Sequence, residues 1–186
     1  MKRLFIAAFF FCAAYTANAQ APAKFELTPQ GFTDYIVADV PGKSKADLFK
    51  KTADWIEVNY KSADAIKSKA EGDKISFEGT GKVVSFDGGL KKTHDSRYQI
   101  EVALKDGKYK FDLLKLEYYV ERNQLGPGGW REVNLIDVAG YYTKQGTLRP
   151  ANKYFTEIVD YFNSLSDELK KFIESGATAT VKKSDW

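Results

Sequence analysis

Residues 97–105, RYQIEVALK, alternate strictly. Tyr98, Ile100, Val102 and Leu104 take one side, and Arg97, Gln99, Glu101 and Lys105 the other, with small Ala103 among them. Period-two alternation marks a strand with one dry and one wet face. Asp106-Gly107 follows, the pair favoured in a two-residue hairpin turn. Tyr109, Phe111 and Leu113 resume the dry side. At Leu114 the phase slips by one, and Leu116, Tyr118 and Val120 carry on. Such a slip predicts a β-bulge, or a stretch where both faces become covered.

The remaining elements are read around this hairpin. Residues 32–40, FTDYIVADV, are rich in β-branched and aromatic residues and predict a first strand, stopped by Pro41-Gly42. Residues 44–61 predict a helix opened by Ser44 with Asp47 three residues on, a box-like cap. Phe49, Ala53, Ile56 and Tyr60 recur at helical spacing, and Leu48, Thr52 and Trp55 widen the stripe. Residues 62–73 read as a polar connection and 88–96, GGLKKTHDS, as a loop. Between them, 74–86 alternate weakly. Gly79 and Gly81 there mark a bulge or bend, or divide two strands. Residues 122–150 are glycine-rich and aperiodic, with a short strand expected at Val133–Val138. A connection this long carries order or function in a compact domain. Phe155, Ile158, Val159, Phe162, Leu165, Leu169, Phe172 and Ile173 form the stripe of a long terminal helix within 151–176. Ser164–Asp167 is a candidate break or second cap, and Gly176 a stop.

The first nineteen residues change the compartment. MKRLFIAAFFFCAAYTANA pairs basic Lys2 and Arg3 with an apolar run and small residues at Ala17 and Ala19. This predicts a secretory signal peptide cut between Ala19 and Gln20. The run is too short to span a bilayer, which takes roughly 20 apolar residues. No other stretch is long and apolar enough to cross as a helix. Cys12, the only cysteine, leaves with the signal, so the remaining chain has no disulfide and rests on its apolar core. Lys2 and Arg3 are the signal's only charges. Subtracting them from 28 basic residues leaves 26 against 25 acidic, a net charge of +1. Near-neutrality together with export excludes a nucleic-acid partner, whose footprint is a basic face. The expected location is the periplasm or outside the cell.

Strand, helix, several antiparallel strands, loop, long helix is an α+β order. The stretch VADVPGKSKADLFKKTADWI, with Val40, Pro41, Gly42 and Ser44 ahead of Leu48 and Trp55, resembles a family of exported bacterial (Bacteroidetes-type) proteins of unknown function with a TBP-like fold. GKYKF at Gly107–Phe111 and LEYY at Leu116–Tyr119 are similar too. The resemblance covers 32–121. It implies a curved antiparallel sheet with a helix packed on one face, to which the long C-terminal helix is added. It implies no activity and no catalytic residues. The organisation expected is a signal peptide at 1–19, an arm at 20–31, the TBP-like domain at 32–121, a Gly/Tyr-rich loop at 122–150, a helix at 151–176 packing on the same domain, and a tail at 177–186.

Candidate chemistry is sparse. His94 is the only histidine, and with no cysteine left a zinc site lacks its usual ligands, so no metal and no cofactor are expected. THDS at 93–96 is adjacency, not a triad, and His94 reads as an exposed loop residue. The Glu117, Glu121 and Asp137 carboxylates leave open a hydrolase of envelope or dietary polymer, which needs two of them held about 5 to 9 Å apart. The aromatic supply is the one anomaly. Tyr118, Tyr119, Trp130, Tyr141 and Tyr142 cluster in or beside the 122–150 loop. Trp130 follows the GPGG turn and reads there as an anchor for the loop. Exposed Tyr and Trp are common at binding surfaces, including carbohydrate and peptide grooves. The alternative is a second core, formed where the loop and the terminal helix cover the sheet's other face. Three readings of function follow. They are a noncatalytic binding or adaptor module of the periplasm or envelope with a protein or glycan partner, a polymer hydrolase, and a structural oligomer.

Overall fold

A computed structural model describes residues 21–60, 65–70, 72–87, 90–122 and 126–176. The expected signal peptide, with Cys12, and the tail at 177–186 lie outside the described residues. In chain order the elements are β1 (Leu27–Thr28), β2 (Gly31–Phe32), β3 (Tyr35–Asp39), α1 (Lys45–Tyr60), β4 (Ile66–Ala70), β5 (Lys74–Asp87), β6 (Leu90–Lys105), β7 (Lys108–Val120), β8 (Gly129–Glu132) and α2 (Tyr154–Glu174). The fold is α+β. One antiparallel sheet runs β3-β7-β6-β5-β4, and β8 also pairs with β7. β1 and β2 form a separate two-stranded ribbon.

The alternation along β6 and β7 sorts the sheet into two unlike faces. Ile75, Phe77, Tyr98, Ile100, Val102, Leu104, Tyr109, Phe111 and Leu116 are buried in one continuous core. Both helices pack on this face. From α1 come Leu48, Thr52, Trp55 and Ile56, with the Trp55 ring edge-on to Phe77 at 5.8 Å. Of the predicted line Phe49, Ala53, Ile56 and Tyr60, Ile56 is fully buried and the other three are half-buried. Seating the large indole against Phe77 turns the helix towards the Leu48–Trp55 side. From α2 come Phe155, Ile158, Phe162, Leu165, Leu169 and Ile173. The helix runs unbroken through Ser164–Asp167, where buried Ser166 accepts from the Tyr109 hydroxyl through its carbonyl at 3.0 Å. The second core expected from a terminal helix on the other face does not form, because α2 lies beside α1.

The hairpin turn also positions α1. Gly107, at φ +74°, accepts from Val40 N–H (2.8 Å) and donates to Lys43 C=O (2.9 Å). The Asp106 carboxylate takes the Lys45 N–H at 2.7 Å, satisfying a donor that a helix start leaves without an intrahelical partner. Ser44 and Asp47 close the predicted cap, with Asp47 N–H donating to Ser44 Oγ at 3.1 Å. The bulge falls where the phase slip put it. Gln99 pairs with Lys115 and Ile100 with Leu113, leaving Leu114 extra and 49% exposed.

Four expectations are corrected. Residues 74–87 are one strand with an unbroken register against β6, so the glycines neither divide nor bulge it. Gly79 is there because the Tyr98 ring lies across it, where a Cβ would overlap the ring. The polar 66–70 is an edge strand. It pairs with β5, and its Lys67 and Lys69 side chains are exposed, which hides the strand from an apolar pattern. Residues 90–96 are strand rather than loop, and His94 is half-buried rather than exposed. The short strand of the long connection is Gly129–Glu132, not Val133–Val138, although Val133 and Val138 are both buried. The N-terminal arm is packed too. Phe25 is buried and stacks on Phe32 at 5.1 Å, and its backbone is held both ways by the Asn163 amide on α2 (2.8 and 3.0 Å).

Two stability predictions follow from this packing. Gly79→Ala pushes the Tyr98 ring out of place and costs about 1–3 kcal/mol in chemical denaturation. Gly81→Ala, whose Cβ meets Ser96 Oγ at 3.4 Å, is close to neutral. Burial raises the phenols of Tyr60, Tyr98 and Tyr109, the last to about 12 from an ordinary 10.0. The folded state therefore favours the neutral phenol, and its contribution is complete below the unfolded value. Stability is predicted to fall as pH rises from about 10 towards 12, read by denaturation alongside phenolate absorbance.

Candidate functional site

The face turned away from the helices is polar and uncovered. Its side chains come from the wet positions of the same strands. Lys74 pairs with Glu101 (2.8 Å), Lys110 with Asp112 (2.7 Å), Lys67 with Glu78 (3.2 Å), and Lys82 with Asp95. Arg97 and Lys115 share Glu117, at 2.7 and 3.0 Å. Each such pair is worth little at a wet surface. Their joint effect is a face on which these cations stand against carboxylates rather than free for a polyanion.

One corner of this face differs. β8 joins the upper half of β7 and sets Trp130 opposite Tyr119 and Glu132 opposite Glu117. Tyr119 and Trp130 meet edge to face, with centroids 5.4 Å apart. The Arg97 guanidinium lies 4.4 Å over the Trp130 ring while its Nε donates to Glu117. Both rings stay open, at 40% and 39% exposure. The contacts order the cluster without covering it, and a cation on an exposed indole is worth about 0.5–1 kcal/mol. Arg97 first, and Lys115 after it, hold the Glu117 carboxyl below the usual glutamate value through their hydrogen bonds. The carboxylates with resolved shifts, Asp47, Asp73 and Glu117, are all shifted downward, the opposite of what a proton donor near neutral pH needs.

The five aromatic candidates divide. Tyr119 and Trp130 share the open corner. Trp130 stands there on an edge strand instead of anchoring a loop to the core. Tyr118, next along β7, points to the helix side and meets the His94 ring edge-on at 5.3 Å. Tyr141 stacks on Phe155 at 4.5 Å, and its hydroxyl donates to Asn134 C=O. Tyr142 donates to Leu27 C=O at 2.7 Å, tying the long connection to the β1–β2 ribbon. The sequence pattern marks Arg97 only as a wet-face residue. Its place in the cluster depends on β8, which carries no periodic signal. Among the described residues no group of three or more His, Cys, Asp or Glu is placed to hold a metal.

A six-stranded antiparallel sheet with helices on one side and an open polar face on the other defines a TBP-like α+β domain. Residues 35–119 match the family model of a domain of unknown function (DUF4468) with TBP-like fold. Two solved structures share the fold. A DUF4468 family protein from Bacteroides ovatus is similar at TM-score 0.57 and 17% identity over 84% of this chain and 92% of that one. A TBP-like protein from Parabacteroides distasonis is similar at TM-score 0.50 and 15% identity over 75% and 90%. Among curated proteins none matches.

Removing the guanidinium tests the electrostatics of the corner. In Arg97→Met, the Glu117 carboxyl is predicted to titrate closer to the ordinary glutamate value than in the parent, followed by carboxyl NMR across acid pH.

Proposed function

We propose that this protein is a noncatalytic binding module, exported to the periplasm or beyond the cell, that takes an envelope protein or glycan on the open face of its sheet. The observation that carries the reading is the Arg97–Trp130–Tyr119 corner. Two large rings and a guanidinium are held in fixed register on strands, yet left in solvent. Aromatic and arginine side chains are the groups that dominate recognition energetics, because they offer large contact area with a polar handle. Paired charges around the corner supply a polar rim that discriminates against polyanions. Export rests on the signal-like segment at the start of the chain.

Purified protein immobilised and incubated with envelope extract tests this, with mass spectrometry of the bound proteins and glycans. A reproducible component is expected on the parent and absent from a Trp130→Ala, Tyr119→Ala variant. It is retained on Val58→Ala, which alters an exposed residue of α1 instead. Equal retention by all three proteins contradicts the reading.

A further inference from the structure

Beyond Ser96 and Tyr118 the sheet comes apart. The β6–β7 register ends at that pair, while β6 continues to Leu90 paired with β5 alone. Residues 82–87 and 90–95 thus form a two-stranded arm, and a cleft of about 620 Å³ opens between the arm and the end of β7. Residues 92–95 of β6 and 119–122 at the end of β7 line it. Val133 N–H donates to Leu116 C=O, so Leu116 turns its backbone groups towards β8. By alternation along the strand, Glu117 and Tyr119 turn theirs towards β6, and Arg97, Asp95 and Thr93 face back from it. At the apex the His94 Nδ1 lies 3.1 Å from Tyr119 C=O, occupying the position a β6 amide would take had the ladder continued. Past His94, the Leu90–Asp95 edge has no strand against it among the described residues. At about 3.3 Å per residue this edge is roughly 20 Å long, the length of an ordinary strand.

A wall of N–H and C=O groups at strand period is matched by another peptide backbone, since sugars and lipids do not repeat donor and acceptor at that spacing. The lysine, arginine and carboxylate side chains of the cleft are Lys82, Lys92 and Arg122 against Asp95 and Glu121, an excess of one positive charge. The cleft also adjoins the open corner, because Tyr119 lines it and Arg97 lies two residues from Asp95 on the same face of β6. We propose that the cleft receives an extended, acidic peptide segment of a partner protein, which pairs with the free edge of β6 and sets alternate side chains beside Tyr119 and Trp130. This rests on the binding reading above and narrows its partner to a polypeptide.

The test uses linear random-sequence peptides displayed on phage and selected against the purified protein, with the tightest binder resynthesised. Methylating its backbone nitrogens one at a time is expected to weaken binding about tenfold or more at every second residue, and little at those between. Replacing its acidic residues with amides weakens binding as well. His94 is the only histidine of the chain, so a single imidazole NMR signal reports the apex of the cleft, and it shifts on binding. Failure to select any peptide overturns the proposal, as does a flat methylation scan with His94 unmoved. Concentration-dependent self-association that blocks the selected peptide overturns it too, since the edge then serves a second copy. A flat scan in which Trp130→Ala still abolishes binding removes strand pairing but leaves the aromatic face standing. A periodic scan indifferent to Trp130→Ala supports the cleft and contradicts the role of the corner.

Discussion

Tyr98 lying flat over Gly79 is the contact around which the sheet is organised. It joins β5 to β6 at the middle of the core. The ring meets Phe162 of α2 edge-on at 5.3 Å, and its hydroxyl lies 3.0 Å from that of Tyr60 on α1 and 2.8 Å from that of Tyr161 on α2. One side chain thus ties both helices to the same face of the same two strands. The large buried side chains of β6 and the first part of β7 lie on that face, because the two strands alternate up to the bulge with only small Ala103 breaking the polar series. With both helices on one side, the other side has nothing apolar to be buried against.

The open face therefore has to be stable in water. Lysine or arginine reaches carboxylate both along and across its strands, as Lys110–Asp112 does within β7 and Arg97–Glu117 between β6 and β7, and opposite charges on adjacent strands are mildly favourable. Against that background the Arg97–Trp130–Tyr119 corner is out of keeping. Burying an aromatic ring is among the larger gains open to a side chain, and Trp55, Tyr98 and Phe77 take it. Trp130 and Tyr119 stay at the surface on rigid strands, where the same gain is available to a bound partner. The matching family model is described by a fold and by no activity, and fold alone does not carry function. The functional reading accordingly rests on this corner and on the parted strands beside it.

How much of this was legible depended on burial. The β6–β7 hairpin, its turn, the bulge at Leu114 and the α2 stripe could be read directly, since each has a dry face whose periodicity survives in the residues. The regions misread are the ones with no dry face. β4 is a solvated edge. The first residues of β6 belong to an arm where Lys91, Lys92, Thr93 and Asp95 are exposed, so KKTHDS carries no apolar alternation although it is strand. β8 is four residues long and held by pairing with β7, a long-range fact that GWRE does not contain. The candidate corner suffered most from this. Tyr119 and Trp130 could be picked out as excess aromatics, but nothing in the local pattern showed that β8 brings Trp130 to Tyr119 and both to Arg97. Nor did it show that Tyr118 would turn to the helix side against His94, or that Tyr141 and Tyr142 would hold the long connection in place.

The central claim is that one face of the sheet is sealed and the other is open with its aromatic corner in solvent. Hydroxyl-radical footprinting of the purified protein, with oxidation rates resolved by residue, measures this directly. The account predicts rapid modification of Trp130 and Tyr119 and strong protection of Trp55, Tyr98 and Tyr109. Trp130 and Tyr119 protected to the same degree as Trp55 would mean that another part of the chain, or a second copy, already covers the corner, and would contradict the account.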